Sequence, residues 1–315
     1  MKNIYSNIFP FNKKTLLKSV AYLKKGNVVG LPTETVYGLA GNAYSKKSVN
    51  KIYKLKKRPK FNPLIVHYFN HKDAKNDVIF NENFFKLYKK FCPGPITFVL
   101  KKKKKSKIKS SVTANLNTLA IRFPSHRIVR SVLKKINFPL AMPSANLSTN
   151  ISPVNARDVA DEFRKNIKVI INGGDSKIGI ESTVVDLTRN PKILRPGIIG
   201  PEIINRFLKL SIRKKNSKLK SPGMLKKHYS PGIPIFLNQK TFIKKHAFIT
   251  FGNKYKNNKN CFNLSKKSDL KEAASNLYKT FRKIKKQGFK KIYVVKIPNL
   301  GVGIAINDRL KRAAN

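Results

Sequence analysis

The chain has 315 residues, 41% hydrophobic and 10% aromatic, enough apolar material for two domains or one large one, which excludes global disorder and fibrous classes. No apolar run approaches the ~18 residues of a membrane span and residues 1–14 lack the apolar block of a secretory signal, so no membrane association and a cytoplasmic location are expected. Sixty-eight Lys and Arg against fourteen Asp and Glu give a net charge of +54. That suits a polyanion partner, but abundant Lys, Asn, Ile and Phe with no Trp equally suit a compositional drift, so the charge alone does not establish nucleic-acid binding.

Leu16, Leu17, Val20 and Leu23 have helical spacing, Val28 to Leu31 forms a short apolar strand, and Ser45 can cap a helix bearing Val49, Ile52 and Tyr53. Leu64 to Tyr68 reads as a strand and Phe84, Phe85, Tyr88 and Phe91 as a helix. Ile96 to Leu100, Leu119 to Phe123, Pro139 to Met142, Val169 to Ile171 and Val184 to Leu187 read as further strands. Helices over 126–136, 155–163 and 201–209 fill the gaps. This mixture predicts an α/β domain with a large twisted sheet whose strand order is not derivable. Composition shifts around 210–232, with Ser211, Arg213 to Ser217 and then Ser221-Pro222-Gly223, as in a linker. Beyond it, strands over 233–237, 246–251 and 291–297, an amphipathic helix carrying Leu270, Ala273, Ala274, Leu277, Phe281 and Ile284, and a last helix over 302–314 make a smaller α/β unit. The division is 1–210, 211–232 and 233–315.

Several segments carry polar chemistry, each with a purely structural alternative. Leu31-Pro-Thr-Glu-Thr-Val-Tyr-Gly-Leu39 sets two hydroxyls and a carboxylate at a strand end, suited to a polar ligand or to an ordinary turn. Lys56-Lys-Arg-Pro-Lys-Phe-Asn-Pro-Leu64 could hold phosphates or be a basic helix end. Pro93-Gly-Pro-Ile-Thr97 is a rigid turn entering a strand. Met142-Pro-Ser-Ala-Asn146, with Ser148 and Ser152 beyond it, clusters small hydrogen-bonding groups, as does Gly173-Gly-Asp175 followed by Glu181-Ser-Thr-Val-Val-Asp186. The run Lys101–Lys105 is a solvated loop or a phosphate contact. With only fourteen acids, Glu34, Asp175, Glu181, Asp186 and Asp308 stand out by their apolar or glycine-rich surroundings.

Absent motifs narrow the chemistry. The two cysteines, Cys92 and Cys261, form no C-x-x-C pair and the five histidines no H-E-x-x-H, so no protein-built metal site is expected. There is no P-loop, no dinucleotide fingerprint and no nucleophile elbow. Catalysis, if present, works by positioning and charge neutralisation.

In this order, these segments resemble the threonylcarbamoyl-adenylate synthase family. The marks are L-P-T-E-T-V-Y-G-L, K-K-R-P-x-x-N-P-L-I-V-H, P-G-P-I-T, A-I-R-F-P, P-S-A-N, G-G-x-x-x-x-G-I-E-S-T-V-V-D and I-L-R-P-G. The linker P-G-M-L-K-K-H-Y-S-P and the terminal A-I-N-D-R-L-K-R-A-A match its two-domain form, so the resemblance covers about residue 15 to 315. Thr149 departs from the Gly often found at that place. The resemblance implies a YrdC-like catalytic domain with a large twisted mixed sheet of the double-stranded-RNA-binding type over 1–210, and a Rossmann-like α/β domain over 233–315. The implied reaction condenses L-threonine, bicarbonate and ATP to threonylcarbamoyl-AMP and pyrophosphate, with Mg²⁺ carried on the ATP phosphates. A separate transferase complex then modifies the tRNA adenosine beside the anticodon.

The resemblance further implies that Thr35, His67, Arg122, Met142 and Ser182 bind L-threonine and that Arg58, Asn62, Thr118, Ser144, Ser152 and Arg195 contact ATP. Lys56 and Asn146 join Arg58 and Ser144 near the reacting phosphate, and Tyr229 in the linker could close over ATP and exclude water. The competing expectation is a non-catalytic double-stranded RNA or tRNA-binding module; direct tRNA binding by the synthase itself is a further option.

Overall fold

The computed structural model describes residues 5–208, 228–241, 245–255 and 258–315. Most of the expected linker, 211–227, lies outside them.

Eleven strands among the described residues make one mixed sheet: β1 (Ile8–Pro10), β2 (Val29–Leu31), β3 (Gly38–Asn42), β4 (Ile65–His67), β5 (Val78–Ile79), β6 (Ile96–Lys102), β7 (Thr118–Arg122), β8 (Leu140–Ala141), β9 (Ile170–Asn172), β10 (Thr183–Asp186) and β11 (Lys192–Arg195). The order is β1-β9-β2-β3-β8-β4-β7-β6-β10-β11, with β5 attached to β6. Parallel pairs (β4 with β7, β6 with β10) alternate with antiparallel ones (β4 with β8, β6 with β7). The twisted α/β expectation is met, and the order that periodicity withheld is now visible.

Side chains alternate between the faces of a strand. Phe98, Leu100, Leu119, Ile121 and Val185 therefore enter the main core against Val49, Ile52, Phe84 and Leu87 of the flanking helices. On the other face of the same strands Ile65, Val99, Ala120, Val184 and Leu194 form a small separate apolar floor. That alternation sets Thr118 and Arg122 on the floor's side of β7, with Ala120 between them. The helix Lys46–Lys56 begins as expected, Ser45 accepting the Ser48 N–H. Its end carries Lys56 and, just beyond, Arg58, both buried, the latter bonded to Asn62 and Pro63 just before β4.

A second sheet holds β12 (Ile235–Phe236), β13 (Ala247–Thr250), β14 (Cys261–Asn263) and β15 (Ile292–Val294), all parallel in the order β12-β15-β13-β14. The helices Leu270–Lys286 and Val302–Ala314 pack on it through Leu277, Phe281, Ile306 and Leu310. Val36, Ile151, Val154, Ile180 and Tyr229 belong to the same apolar cluster, so the small sheet's core continues into the large sheet's loops. Gly179 is required at that seam: its φ is +76°, and a Cβ there would stand 2.6 Å from the Ser275 Cα. Among the described residues no helix is long and apolar enough to cross a membrane.

Candidate active site

The β4–β7 register brings His67 level with Arg122, and β6–β7 brings Thr97 level with Arg122. Ser182, just before β10, shares a 2.8 Å hydroxyl contact with Thr97. Arg195 at the end of β11 donates through Nη2 to the Ser182 Oγ and through Nε to the Ser182 carbonyl, both at 3.1 Å. Three sequence-distant segments, around residues 67, 122 and 182–195, thus meet at one end of the floor.

Arg122 is not free there. Its Nη2 lies 2.6 Å from Glu34 Oε1, while its Nε is buried without a partner. Glu34 also accepts the backbone N–H groups of Ser125 (3.2 Å) and His126 (3.3 Å). Burial pushes the Glu34 carboxyl upward, but Arg122 and these hydrogen bonds outweigh it and hold the group below its ordinary range. His67 is pushed the other way: burial, then the Arg122 charge, keeps the imidazole neutral, with Nδ1 unpartnered. In the turn before β3 the Thr33 hydroxyl donates to the Val36 carbonyl at 2.6 Å. In the 2.9 Å Thr33–Thr35 pair the donor is therefore Thr35, which leaves Thr35 lone pairs for an incoming donor. Met142 closes the same end. A Cβ on Gly38 would stand 2.4 Å from the Met142 Cγ, so Gly38 is what lets Met142 lie there.

The other end is cationic. Lys56 is buried, and its ammonium donates to the carbonyls of Ser144 and Asn146. The lysine thereby braces the Pro143–Asn146 loop, with two of its three donors spent. Burial and the nearby Arg58 charge push its pKa well down. Arg58 spends Nε on the Asn62 carbonyl (3.0 Å) and Nη2 on Asn62 Oδ1 (2.5 Å) and the Pro63 carbonyl (2.8 Å), and burial lowers it to about 10. Asn62 Nδ2 and Asn146 Oδ1 remain buried without partners, a donor and an acceptor awaiting a ligand. Ser144 is bridged to Gly38 across the sheet. Thr118 stands apart: it lies at the other end of β7 from Arg122, about 13 Å along the strand. Continuing the β4–β7 register places it beside Pro63, at the Asn62 end.

Ser152 donates its hydroxyl to Glu181, so toward a ligand it presents acceptor lone pairs, which suits a ribose hydroxyl or a base amine rather than a phosphate oxygen. Glu181 also takes Tyr278 OH at 3.0 Å and Arg309 Nε at 2.9 Å. Burial would raise this carboxyl; Arg309, Arg195 and the Ser152 hydrogen bond together bring it down to about 2. Tyr229 is wholly buried at a φ of +65°, its ring 5.0 Å beneath the Arg309 guanidinium and its hydroxyl unpartnered. Residues 228–229 are thus packed beside Arg309 and Glu181.

Four further residues of this cluster are not singled out as ligand groups by the resemblance. Glu34 and Glu181 stand out in the sequence as unusual acids, Glu34 within a turn suited to a polar ligand, but nothing local names their arginine partners. His228 was passed over although it adjoins Tyr229, their ring centroids 4.0 Å apart. Burial lowers His228 to about 3, with the charges of Glu181, Arg58, Lys56 and Arg195 all reaching it. Arg309 lay unremarked in the terminal motif. Among the described residues no group of three or more His, Cys, Asp or Glu is placed to hold a metal ion.

Comparison with known proteins covers nearly the whole chain. A family model described as telomere recombination matches residues 21–197, and one described as the threonylcarbamoyl-AMP synthase C-terminal domain matches 199–315. The threonylcarbamoyl-AMP synthase of Pyrococcus abyssi is 33% identical over 94% of this chain and 93% of its own length. That of Bacillus subtilis is 33% identical over 96% and 94%. A Pyrococcus abyssi crystal structure complexed with L-threonine superposes with a TM-score of 0.89 at 31% identity, covering 98% of this chain and 97% of its own.

Proposed function

Because this chain belongs to the threonylcarbamoyl-AMP synthase family, we infer that the floor between Arg122 and Arg58 is where its substrates meet. The activity is that of a nucleotidyltransferase of tRNA modification, making threonylcarbamoyl-AMP. The proposal concerns which groups do it. L-threonine sits at the Thr35, His67, Arg122, Met142 and Ser182 end, and ATP lies along Arg58, Asn62, Thr118, Ser144, Ser152 and Arg195, with Mg²⁺ as part of the substrate. The observation that carries this reading is a pair of buried polar poles among the described residues. A paired guanidinium and hydroxyls mark one end; two buried cations with an unpartnered amide mark the other.

The chemistry needs no protein nucleophile. Threonine's amine combines with bicarbonate, releasing water, to give a carbamate. A carbamate oxygen attacks the ATP α-phosphorus while the bond to the β-phosphate oxygen breaks and pyrophosphate leaves. The chain contributes alignment and positive charge. Neutral His67 and the acceptor face of Thr35 can receive protons of the threonine amine or hydroxyl, and the remaining Arg122 N–H groups its carboxylate. Arg58 and Arg195 offset the charge of the triphosphate, and Lys56 fixes the loop that presents Ser144 and Asn146. Tyr229 and His228 cover the site and keep water from the carbamate and the adenylate. Residues 1–210 form the catalytic domain, 211–232 the linker and 233–315 the second domain in this reading. A transferase complex takes the product onward.

The test is incubation with ATP, L-threonine and ¹³C-bicarbonate, followed by mass spectrometry. A labelled threonylcarbamoyl-AMP that requires all three substrates is expected. Pyrophosphate formed without threonine and no acyl-nucleotide would refute the reading, and strongly salt-dependent tRNA binding in its place would favour the binding module.

A further inference from the structure

We propose that Arg309, on the last helix of the small domain, is a positioning residue for ATP: acting through Glu181 and Tyr229, it sets the Ser152 hydroxyl and the 228–229 segment. This rests on the ATP placement above and gives the second domain a part in the first domain's site.

The argument begins with cost. Arg309 is fully buried, and a buried guanidinium is expensive unless each face is compensated. Its Nε is spent on Glu181, 128 residues away in sequence, and its Nη1 on neighbouring Asp308 at 2.8 Å. Asp308 in turn holds Arg312 Nε at 3.0 Å, and the Arg312 carbonyl accepts the His228 N–H at 3.1 Å. The guanidinium face lies over the Tyr229 ring. One helix turn, 308–312, therefore fixes both the carboxylate that orients Ser152 and the backbone that carries Tyr229. Arg309 Nη2 is left buried and unpartnered, as is Tyr229 OH, so polar groups at this junction still lack the partners a bound ligand would bring.

A purely structural domain seam would not need this arrangement, because apolar contacts already close it: Val36, Ile151, Val154 and Ile180 pack with Ala274, Leu277 and Ile306. The polar strut falls instead on the loop that holds Ser152. That loop is gripped a second time from the small domain, by Arg282 Nη2 on the Ile151 carbonyl at 2.9 Å. Ser182 is held from the sheet side, by Thr97 and Arg195, so threonine binding should be largely independent of the strut.

The experiment is calorimetric titration of the full chain with α,β-methylene-ATP and, separately, with L-threonine, alongside thermal unfolding. Arg309→Met is expected to weaken the nucleotide tenfold or more and threonine less than threefold. Tyr278→Phe removes one hydroxyl donor from Glu181 with little change of shape. It should weaken the nucleotide two- to tenfold while unfolding within a few degrees of wild type, and it decides the matter if Arg309→Met does not fold. Nucleotide binding within 1.5-fold of wild type in either folded variant, or nucleotide and threonine weakening in step, overturns the proposal. A wild type that binds the analogue yet forms no acyl-nucleotide overturns the functional reading and leaves the strut standing. A wild type that binds no analogue overturns both.

Discussion

Arg122→Met tests the threonine end most sharply, because it separates two consequences of one residue. In the folded chain Glu34 and Arg122 are both buried and 2.6 Å apart. Without the guanidinium, Glu34 keeps only backbone N–H groups at 3.2 and 3.3 Å, and its charge is stranded in a low-dielectric site. Breaking a buried pair from one side costs about 3–5 kcal/mol. At ~2–4 °C per kcal/mol for a chain of this order, the unfolding temperature should fall by roughly 6–20 °C. The threonine carboxylate should lose charge-assisted hydrogen bonds of ~1.5–3 kcal/mol, about 12- to 150-fold in affinity. Adding Glu34→Gln removes the stranded charge, so the double variant should regain at least half of the lost stability while threonine binding stays weak. Thermal unfolding and threonine calorimetry on the four proteins of the cycle read both effects. A double variant as unstable as Arg122→Met would refute the stranded-charge reasoning. Threonine affinity within twofold of wild type would refute the carboxylate assignment.

Arg58→Ala, which removes a guanidinium and unseats Asn62, should lower turnover at least a hundredfold, a scale typical of a lost transition-state contact and read by pyrophosphate release. Gly38→Ala should destabilise by about 1–3 kcal/mol through overlap with Met142 and weaken threonine, and Met142→Ala in the same chain should recover stability; chemical unfolding checks this. Stability should also fall with acid. His228 goes from 6.5 to about 3 on folding, so its contribution is complete above pH 6.5 and is lost as pH falls toward 3. Glu181 goes from 4.5 to about 2, so its contribution is complete above 4.5 and is lost as pH falls toward 2. His228→Asn should reduce the fall of unfolding temperature between pH 6.5 and 3; the slope that remains belongs to His67 and His126, which burial also depresses, and below pH 4.5 to Glu181 as well.

Legibility followed the strength of local signals. Leu64–Tyr68 and Ile96–Leu100 are apolar runs and appear as β4 and β6. Strand β3 was not anticipated, because Gly38-Leu-Ala-Gly-Asn42 has neither an apolar run nor β-branched residues; its place comes from pairing between β2 and β8. Strand β14, Cys261–Asn263, is too short to carry a period at all. In the candidate site the residue types were legible and their partners were not. Nothing near Glu34 in sequence points to Arg122, and nothing near Glu181 points to Arg309, since sheet order and domain docking make those pairs. The sequence also presented Arg122 and Lys56 as open cations, whereas the fold has already given them a carboxylate and two carbonyls.

That last difference bears on the net charge of +54. Most of the cations are on the surface, where solvent and salt screen them and compositional drift can vary them at little cost. Among the described residues, five Lys and Arg side chains are buried: Lys56, Arg58, Arg122, Arg195 and Arg309. All five belong to the site or its strut. Three carboxylates pair with two of them, Glu34 with Arg122 and both Glu181 and Asp308 with Arg309, and the set is strongly cationic only while its lysine and arginines are protonated. Burial works against that condition: Lys56 is pushed well down and Arg58 to about 10 before any ligand arrives. A triphosphate entering the site supplies the missing negative charge and raises both again, so nucleotide binding should take up protons at a pH where Lys56 is partly neutral. In the proposed site the charge that meets the nucleotide is carried by a handful of buried groups, and the surface excess is no measure of it.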